Sequence, residues 1–291
     1  MSAHSAASAA ASAESDDFAD NHDRMERGLR TLRRIEATER PGILDGFQDI
    51  APGFGELIVG FAFGDVCSRP GLELPTRQLV TVAALTALGN AAPQLEFHVR
   101  GARNVGCGRR DIVETVLHLS DHAGFPATLE ALGVVRTVFA AEAGSARTIG
   151  RSEDGPGAKA HDGPTSPTSH GGHGGTGSHD GPGGAGEQVL ASVRAIDPAL
   201  ADFLIGNAFG DPDPAAPRGG LDPRTRAIVS VAACTALGTR RPQLMAHVHE
   251  ILDAGGTRQD AVETVLQMAV YAGVPAAVNG LNAARDVFRT R

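Results

Sequence analysis

From Pro75 to Leu88 the chain is apolar on nearly every side of a helix. Leu79, Val80, Val82, Ala83, Leu85 and Leu88 leave little polar face, and Gly89 closes the run. A helix of that kind is buried all round. A second stripe, Leu95, Val99, Ala102 and Val105, recurs at helical spacing between Pro93 and Gly106. Ile112, Val113, Val116, Leu117 and Leu119 mark a third helix from Asp111 to Ala123. Gly124-Phe125-Pro126 separates it from a fourth that runs to about Ala140. The period-2 alternation of strands is missing throughout. The pattern predicts an all-α fold.

The same pattern then occurs again. Thr76-Arg77 returns as Thr225-Arg226, Ala87-Leu88-Gly89 as Ala236-Leu237-Gly238, and Pro93-Gln94-Leu95 with His98-Val99 as Pro242-Gln243-Leu244 with His247-Val248. Val113 to Leu117 returns as Val262 to Leu266, at an offset of 149 that holds from Arg69 onward. Before it, Phe63-Gly64-Asp65 returns as Phe209-Gly210-Asp211 at an offset of 146, so three residues are inserted between. The second copy of the buried helix opens Leu221-Asp222-Pro223, with Asp as N-cap and Pro as first helical residue. A domain-sized period means two copies of one small domain rather than a solenoid. We read two tandem helical-bundle domains, 24–145 and 187–291, preceded by an Ala/Ser-rich disordered tail, 1–23. A Gly-, Pro- and His-containing tether, 146–186, joins them. Arg24 to Phe47 has no full counterpart in the second copy, which makes the copies unequal.

Composition narrows the partners. A net charge of −8 argues against nucleic acid and anionic membrane. No apolar run has the length of a bilayer span, and the start has no basic, Leu-rich leader. The expectation is a cytoplasmic protein. Cys67, Cys107 and Cys234 are isolated, none recurs as cysteine in the other copy, and reduced thiols are expected. His161, His170, His173 and His179 in the tether read as solvated polar residues, since nothing orders them around a common centre.

Four polar positions persist among apolar neighbours in both copies: Arg69 and Arg218, Arg77 and Arg226, His98 and His247, Glu114 and Glu263. Each has a structural alternative. The histidines fit satisfied core positions, the arginines fit pairing with Asp65 and Asp211, and the glutamates fit bonding to the start of another helix. Glu114 and His118, at i and i+4, fit a helix-surface pair. Taken together, two arginines and a histidine per copy of an acidic protein suit a small anionic substrate. Arginine offers a bidentate fork to carboxylates, and histidine moves a proton near neutral pH. No metal signature, phosphate loop or nucleotide fingerprint is present, so any catalysis is expected to run without metal or cofactor.

The order Phe63-Gly64-Asp65, Arg69-Pro70-Gly71-Leu72, Thr76-Arg77, Pro93-Gln94-Leu95, His98-Val99, Glu114 to His118 and Ala123 to Pro126 resembles the carboxymuconolactone decarboxylase family. The resemblance covers nearly all of the first copy and, less completely, the second. It implies a carboxy-lyase that converts 4-carboxymuconolactone to an enol-lactone in aromatic catabolism. It also implies helical subunits that assemble, here as a homo-oligomer of three two-domain chains. On this chain it suggests Arg69 and Arg77 as substrate-binding and His98, Glu114 and His118 as catalytic residues, with the first copy the active one. His247, Arg218, Arg226 and Glu263 would be the second copy's equivalents. The thiol peroxidases of the same superfamily carry a C-x-x-C ahead of the histidine, where this chain has Ala91 and Gln94, or Arg240 and Gln243. Two departures bear on substrate: Gln78 stands where the family pattern has Glu, and the second copy has Gln267 and Tyr271 at the places of His118 and His122. The competing expectations are an enzyme acting on another lactone or keto acid in biosynthesis, and a non-catalytic assembly protein.

Overall fold

The structure is a computed structural model and describes residues 22–152 and 221–291. Arg218, the repeated Phe209-Gly210-Asp211 and the tether histidines lie outside the described residues.

In the first copy, α1 spans 22–36 and is followed by a short 3-10 turn, Gly42–Leu44. Helix α2, Phe54–Ile58, runs directly into a π-helical stretch, Val59–Cys67. Then come α3, Leu74–Leu88; α4, Ala92–Asn104; α5, Arg109–His118; and α6, Ser120–Ser152. The second copy supplies α7, Pro223–Leu237; α8, Arg241–Asp253; α9, Arg258–Tyr271; and α10, Val274–Thr290. There is no strand among the described residues, as the missing alternation predicts.

Local signals set the ends. The Asp222 side chain accepts the Thr225 amide at 3.0 Å and caps α7, and Gly89 and Gly238 close α3 and α7 in the left-handed region at φ 66 and 70°. Gly124, at φ 80° and ψ 166°, kinks α6 at the predicted break, but the helix then continues to Ser152, beyond the predicted end near Ala140. The helix predicted from Asp111 to Ala123 is divided at Leu119 between α5 and α6.

The buried helix of each copy forms the centre of the molecule. α3 and α7 pack on one another, and α5 and α9 flank them. A single apolar core runs through both copies, from Val80, Val82 and Ala84 on α3 to Ile228, Val229 and Ala232 on α7. The two copies therefore share one interior.

The π-helical stretch owes its placement to two glycines. A Cβ on Gly64 would stand 2.3 Å from the Arg24 carbonyl oxygen, and one on Gly28 2.3 Å from that of Val59. The backbones of α1 and the π-helix thus cross at a distance that only glycine permits. Asp65 is consequently directed at Arg24, 2.6 Å away. It does not pair with Arg69, the structural alternative that the sequence allows, and Arg69 reaches Glu263 of the second copy instead.

Candidate active site

The repeated polar residues meet across the two copies. Arg69 follows the π-helix and Arg77 sits in the first turns of α3, and both reach Glu263 on α9. Arg69 donates to it through Nε at 3.0 and 3.1 Å and through Nη2 at 2.9 Å. Arg77 Nη2 donates to the same carboxylate at 2.9 Å. Its other donors reach the Leu72 carbonyl at 3.3 Å, the Arg69 carbonyl at 2.9 Å and Gln267 Oε1 at 3.2 Å. Arg77 is fully buried, whereas the Arg69 side chain is 45% exposed. The pair forms a gradient from solvent inward, with two guanidiniums to one carboxylate.

His98, on α4, meets the same helix as the two arginines, α9, through Tyr271. Its Nδ1 is 2.9 Å from Gln78 Oε1, and its Nε2 is 3.3 Å from the Tyr271 hydroxyl of α9. The amide oxygen accepts from Nδ1–H, so Nε2 carries the lone pair and the phenol donates to it. Burial pushes the His98 pKa down to about 3. Burial also raises that of Tyr271, and the nearby Cys67 adds to the shift. Both groups are neutral at pH 7. The enclosed imidazole loses the hydration that its charged form requires, which favours the neutral ring. One Gln78 amide donor, Nε2, is buried without a partner.

Glu114 and His118 do not join this group. Glu114 accepts from Arg226 at 2.5 Å and from the Leu221 amide at 3.0 Å, both of the second copy. His118 is buried, and its Nε2 is 2.7 Å from Ser230 Oγ on α7. They are not a helix-surface pair on one copy, because α5 turns that face onto α7. A second constellation results. Arg226, Ser230, Cys234 and His247 come from the second copy, and Glu114, His118 and His122 from the first. At the offset of 149 every member but Cys234 has a counterpart in the first constellation: Arg226 with Arg77, His247 with His98, Glu114 with Glu263, His118 with Gln267, His122 with Tyr271, Ser230 with Thr81. The relation is isologous, each copy completing the other's site as in a two-fold dimer.

The two sites differ in chemistry. Gln267 donates to the Arg77 carbonyl at 2.7 Å and to Thr81 at 2.8 Å, so the first site is fully hydrogen-bonded on that side. In the second, His118 and His122 replace this amide and phenol. Burial, followed by neighbouring cationic groups, holds their pKa values near 3 and 4. His247 is only partly buried and pairs with Glu250 at 2.7 Å. The predicted equivalence of His98 and His247 thus holds for position and not for surroundings.

The partners missed from sequence, Gln267 and Tyr271, carried one signal. With Glu263 they stand at i, i+4 and i+8, which is one face of a helix. All three cysteines are free and buried, and burial raises their thiols to about 11 for Cys67, 12 for Cys107 and 11 for Cys234. None is the accessible thiolate that peroxide reduction requires.

The composite pair of sites defines a duplicated all-α fold in which each copy completes the other's site. The chain belongs to the carboxymuconolactone decarboxylase family, whose model matches residues 52–137 and 198–286. It is 41% identical over 96 residues to the 4-carboxymuconolactone decarboxylase of Acinetobacter baylyi, covering 33% of this chain and 71% of that protein. It is 41% identical over 81 residues to an uncharacterized 15.0 kDa protein of Paracoccus denitrificans, covering 28% of this chain and 60% of that one. It is 39% identical over 82 residues to the nitrosuccinic acid decarboxylase of Metarhizium robertsii, covering 28% and 56%. The matched segment thus spans less than two thirds of the latter two relatives. No helix among the described residues is long and apolar enough to cross a membrane.

Proposed function

We propose that the chain is a cytoplasmic carboxy-lyase of aromatic catabolism that decarboxylates a small carboxylated lactone at the site built from Arg69, Arg77, His98 and Tyr271. The substrate is 4-carboxymuconolactone, giving the 3-oxoadipate enol-lactone, or a close relative. The observation that carries this reading is the excess of guanidinium over carboxylate beside a neutral imidazole–phenol pair. Half-exposed Arg69 meets the anionic substrate, and buried Arg77 holds positive charge where negative charge develops.

The step needs no electron sink beyond the substrate. The bond to the carboxylate carbon breaks, carbon dioxide leaves, and the electron pair moves into the lactone as a dienolate. A proton must then reach carbon. Arrival of an anion beside His98 raises the imidazole pKa from its buried value, so His98, held by Gln78 and Tyr271, takes one proton from solvent at Nε2 and delivers it to the dienolate carbon, returning to the neutral form. Glu263 keeps both arginines aimed.

A second substrate class is favoured by Gln78. The family pattern places a carboxylate there, and this chain presents a neutral amide to His98. A relative named for nitrosuccinic acid brings in acids whose carbanion is held by a nitro group, and the same site chemistry would serve them.

Both copies expose the same apolar pair at the start of their last helix, Phe125 with Leu129 and Val274 with Val278. Apolar positions repeated this way suit a homo-oligomer of three chains, six domains in all. The test of function is carbon dioxide release by the purified protein from 4-carboxymuconolactone and, in parallel, from nitrosuccinate. Turnover of the lactone supports the reading, turnover of nitrosuccinate alone moves it to the second class, and turnover of neither overturns it for both.

A further inference from the structure

The second constellation contains a group that the decarboxylase reading does not use. His122 of α6, Cys234 of α7 and His247 of α8 each offer one ligand atom, and the three atoms lie within 4.8 Å of one another. We propose that these three side chains form a binding site for a borderline-soft divalent transition metal of the zinc type, in which each copy supplies part of the ligand set. The proposal is independent of the reaction at the first site.

The hydrogen bonds accommodate the tautomers that a metal needs. Ser230 spends its one hydroxyl proton on the Arg226 carbonyl at 3.1 Å. Its oxygen, with two lone pairs, then accepts from His118 Nε2–H at 2.7 Å and from His122 Nε2–H at 3.3 Å. The lone pair of His122 is left on Nδ1, 3.8 Å from Cys234 Sγ. His247 Nδ1 is taken by Glu250, which leaves Nε2 to ligate. A ligand histidine whose other nitrogen donates to a carboxylate or hydroxyl is the usual arrangement around zinc. With metal–sulfur and metal–nitrogen bonds of about 2.3 and 2.0 Å, ligand atoms of a tetrahedral site stand about 3.3–3.6 Å apart. Small side-chain rotations close the present triangle to that size.

Three protein ligands leave a fourth position for water or an anion. Binding would expel the thiol proton to solvent, giving a thiolate–metal bond of net charge +1. Glu250 offsets that charge, Arg240 opposes it, and Arg226 is already neutralised by Glu114. The His247 side chain, 16% exposed, marks the way in. The first site has no such set: Leu85 stands at the place of Cys234, Tyr271 at that of His122.

The test is titration of full-length, chelator-stripped protein with Co²⁺ alone. One Co²⁺ per chain should develop a sulfur-to-cobalt charge-transfer band with tetrahedral visible absorption. The band should vanish in Cys234→Ser, persist in Cys67→Ser and Cys107→Ser, and appear at about 10–100-fold higher metal concentration in Glu250→Gln. Co²⁺ held by the tether histidines gives no thiolate band. Should Cys234→Ser fail to fold, the partly exposed His247→Gln serves instead and should lose the tetrahedral absorption. Absence of the band from the unaltered protein, or its survival in Cys234→Ser, overturns the proposal.

Discussion

Glu263 of the second copy pairs with Arg77 of the first, with 2.9 Å between them and neither side chain more than 3% exposed, and shares its carboxylate with Arg69. Its mirror image, Glu114 with Arg226, lies in a more open setting, 21 and 26% exposed. An ion pair in the dry interior is strongly destabilising to break from one side, because the surviving charge stays buried and unpaired. Glu263→Ala should therefore cost about 3–5 kcal/mol, and Glu114→Ala about 1 kcal/mol, as expected of a wetter pair. Urea unfolding of the two variants against the parent measures this. Equal losses would contradict the asymmetry described here.

Burial sets the charge state of His98, and Gln78 is the neighbour whose replacement can reverse it. A carboxylate 2.9 Å from Nδ1 would favour the imidazolium, so Gln78→Glu should raise the His98 pKa from about 3. Proton NMR titration of the imidazole in both proteins reads it. A pKa that does not move would show that Gln78 and His98 are not coupled.

The low pKa of His98 also links pH to stability. The unfolded chain binds its proton near pH 6.5 and the folded chain only near 3. The unfolded state thus holds more protons between those values. The stabilisation is complete above 6.5 and is lost as pH falls toward 3, at up to about 1.4 kcal/mol per pH unit for one site. The groups that touch His98 are Gln78, Tyr271 and Phe97, and none of them carries a charge there. His98→Gln should flatten the dependence of unfolding free energy on pH between 6.5 and 5 by about one proton. An unchanged slope would mean that the imidazole is charged in the fold.

Much of this architecture was readable from residues alone. The all-round apolarity of Leu79 to Leu88 announced a central helix, Asp222-Pro223 announced the start of its twin, and the offset of 149 announced two copies. What sequence could not supply was the direction in which α5 and α9 face. Glu114 and His118 at i and i+4 look like neighbours on one surface, and only packing decides that this surface lies on the other copy. The neutrality of His98 was hidden for a related reason. Its spacing gives its helix face, while its pKa depends on Tyr271 and on burial contributed by a segment 173 residues away. The partner of Asp65 is hidden because nothing in Phe63-Gly64-Asp65 reveals that α1 crosses at Gly64.

The exposed pairs Phe125 with Leu129 and Val274 with Val278 are expected to be covered between chains. Leu129→Glu with Val278→Glu should convert the assembly to single chains in size-exclusion chromatography with light scattering. A parent protein that already runs as a monomer would refute the trimer.

Tyr271 and His98 come from different copies, so the account rests on a site that neither copy holds alone. The most direct test is carbon dioxide release from 4-carboxymuconolactone by the parent, His98→Gln, Tyr271→Phe and His247→Gln. The account predicts turnover by the parent, a loss of at least about 100-fold in His98→Gln, a smaller loss in Tyr271→Phe, and near-parental turnover in His247→Gln. Full activity in His98→Gln, or loss in His247→Gln alone, would place the chemistry elsewhere and contradict it.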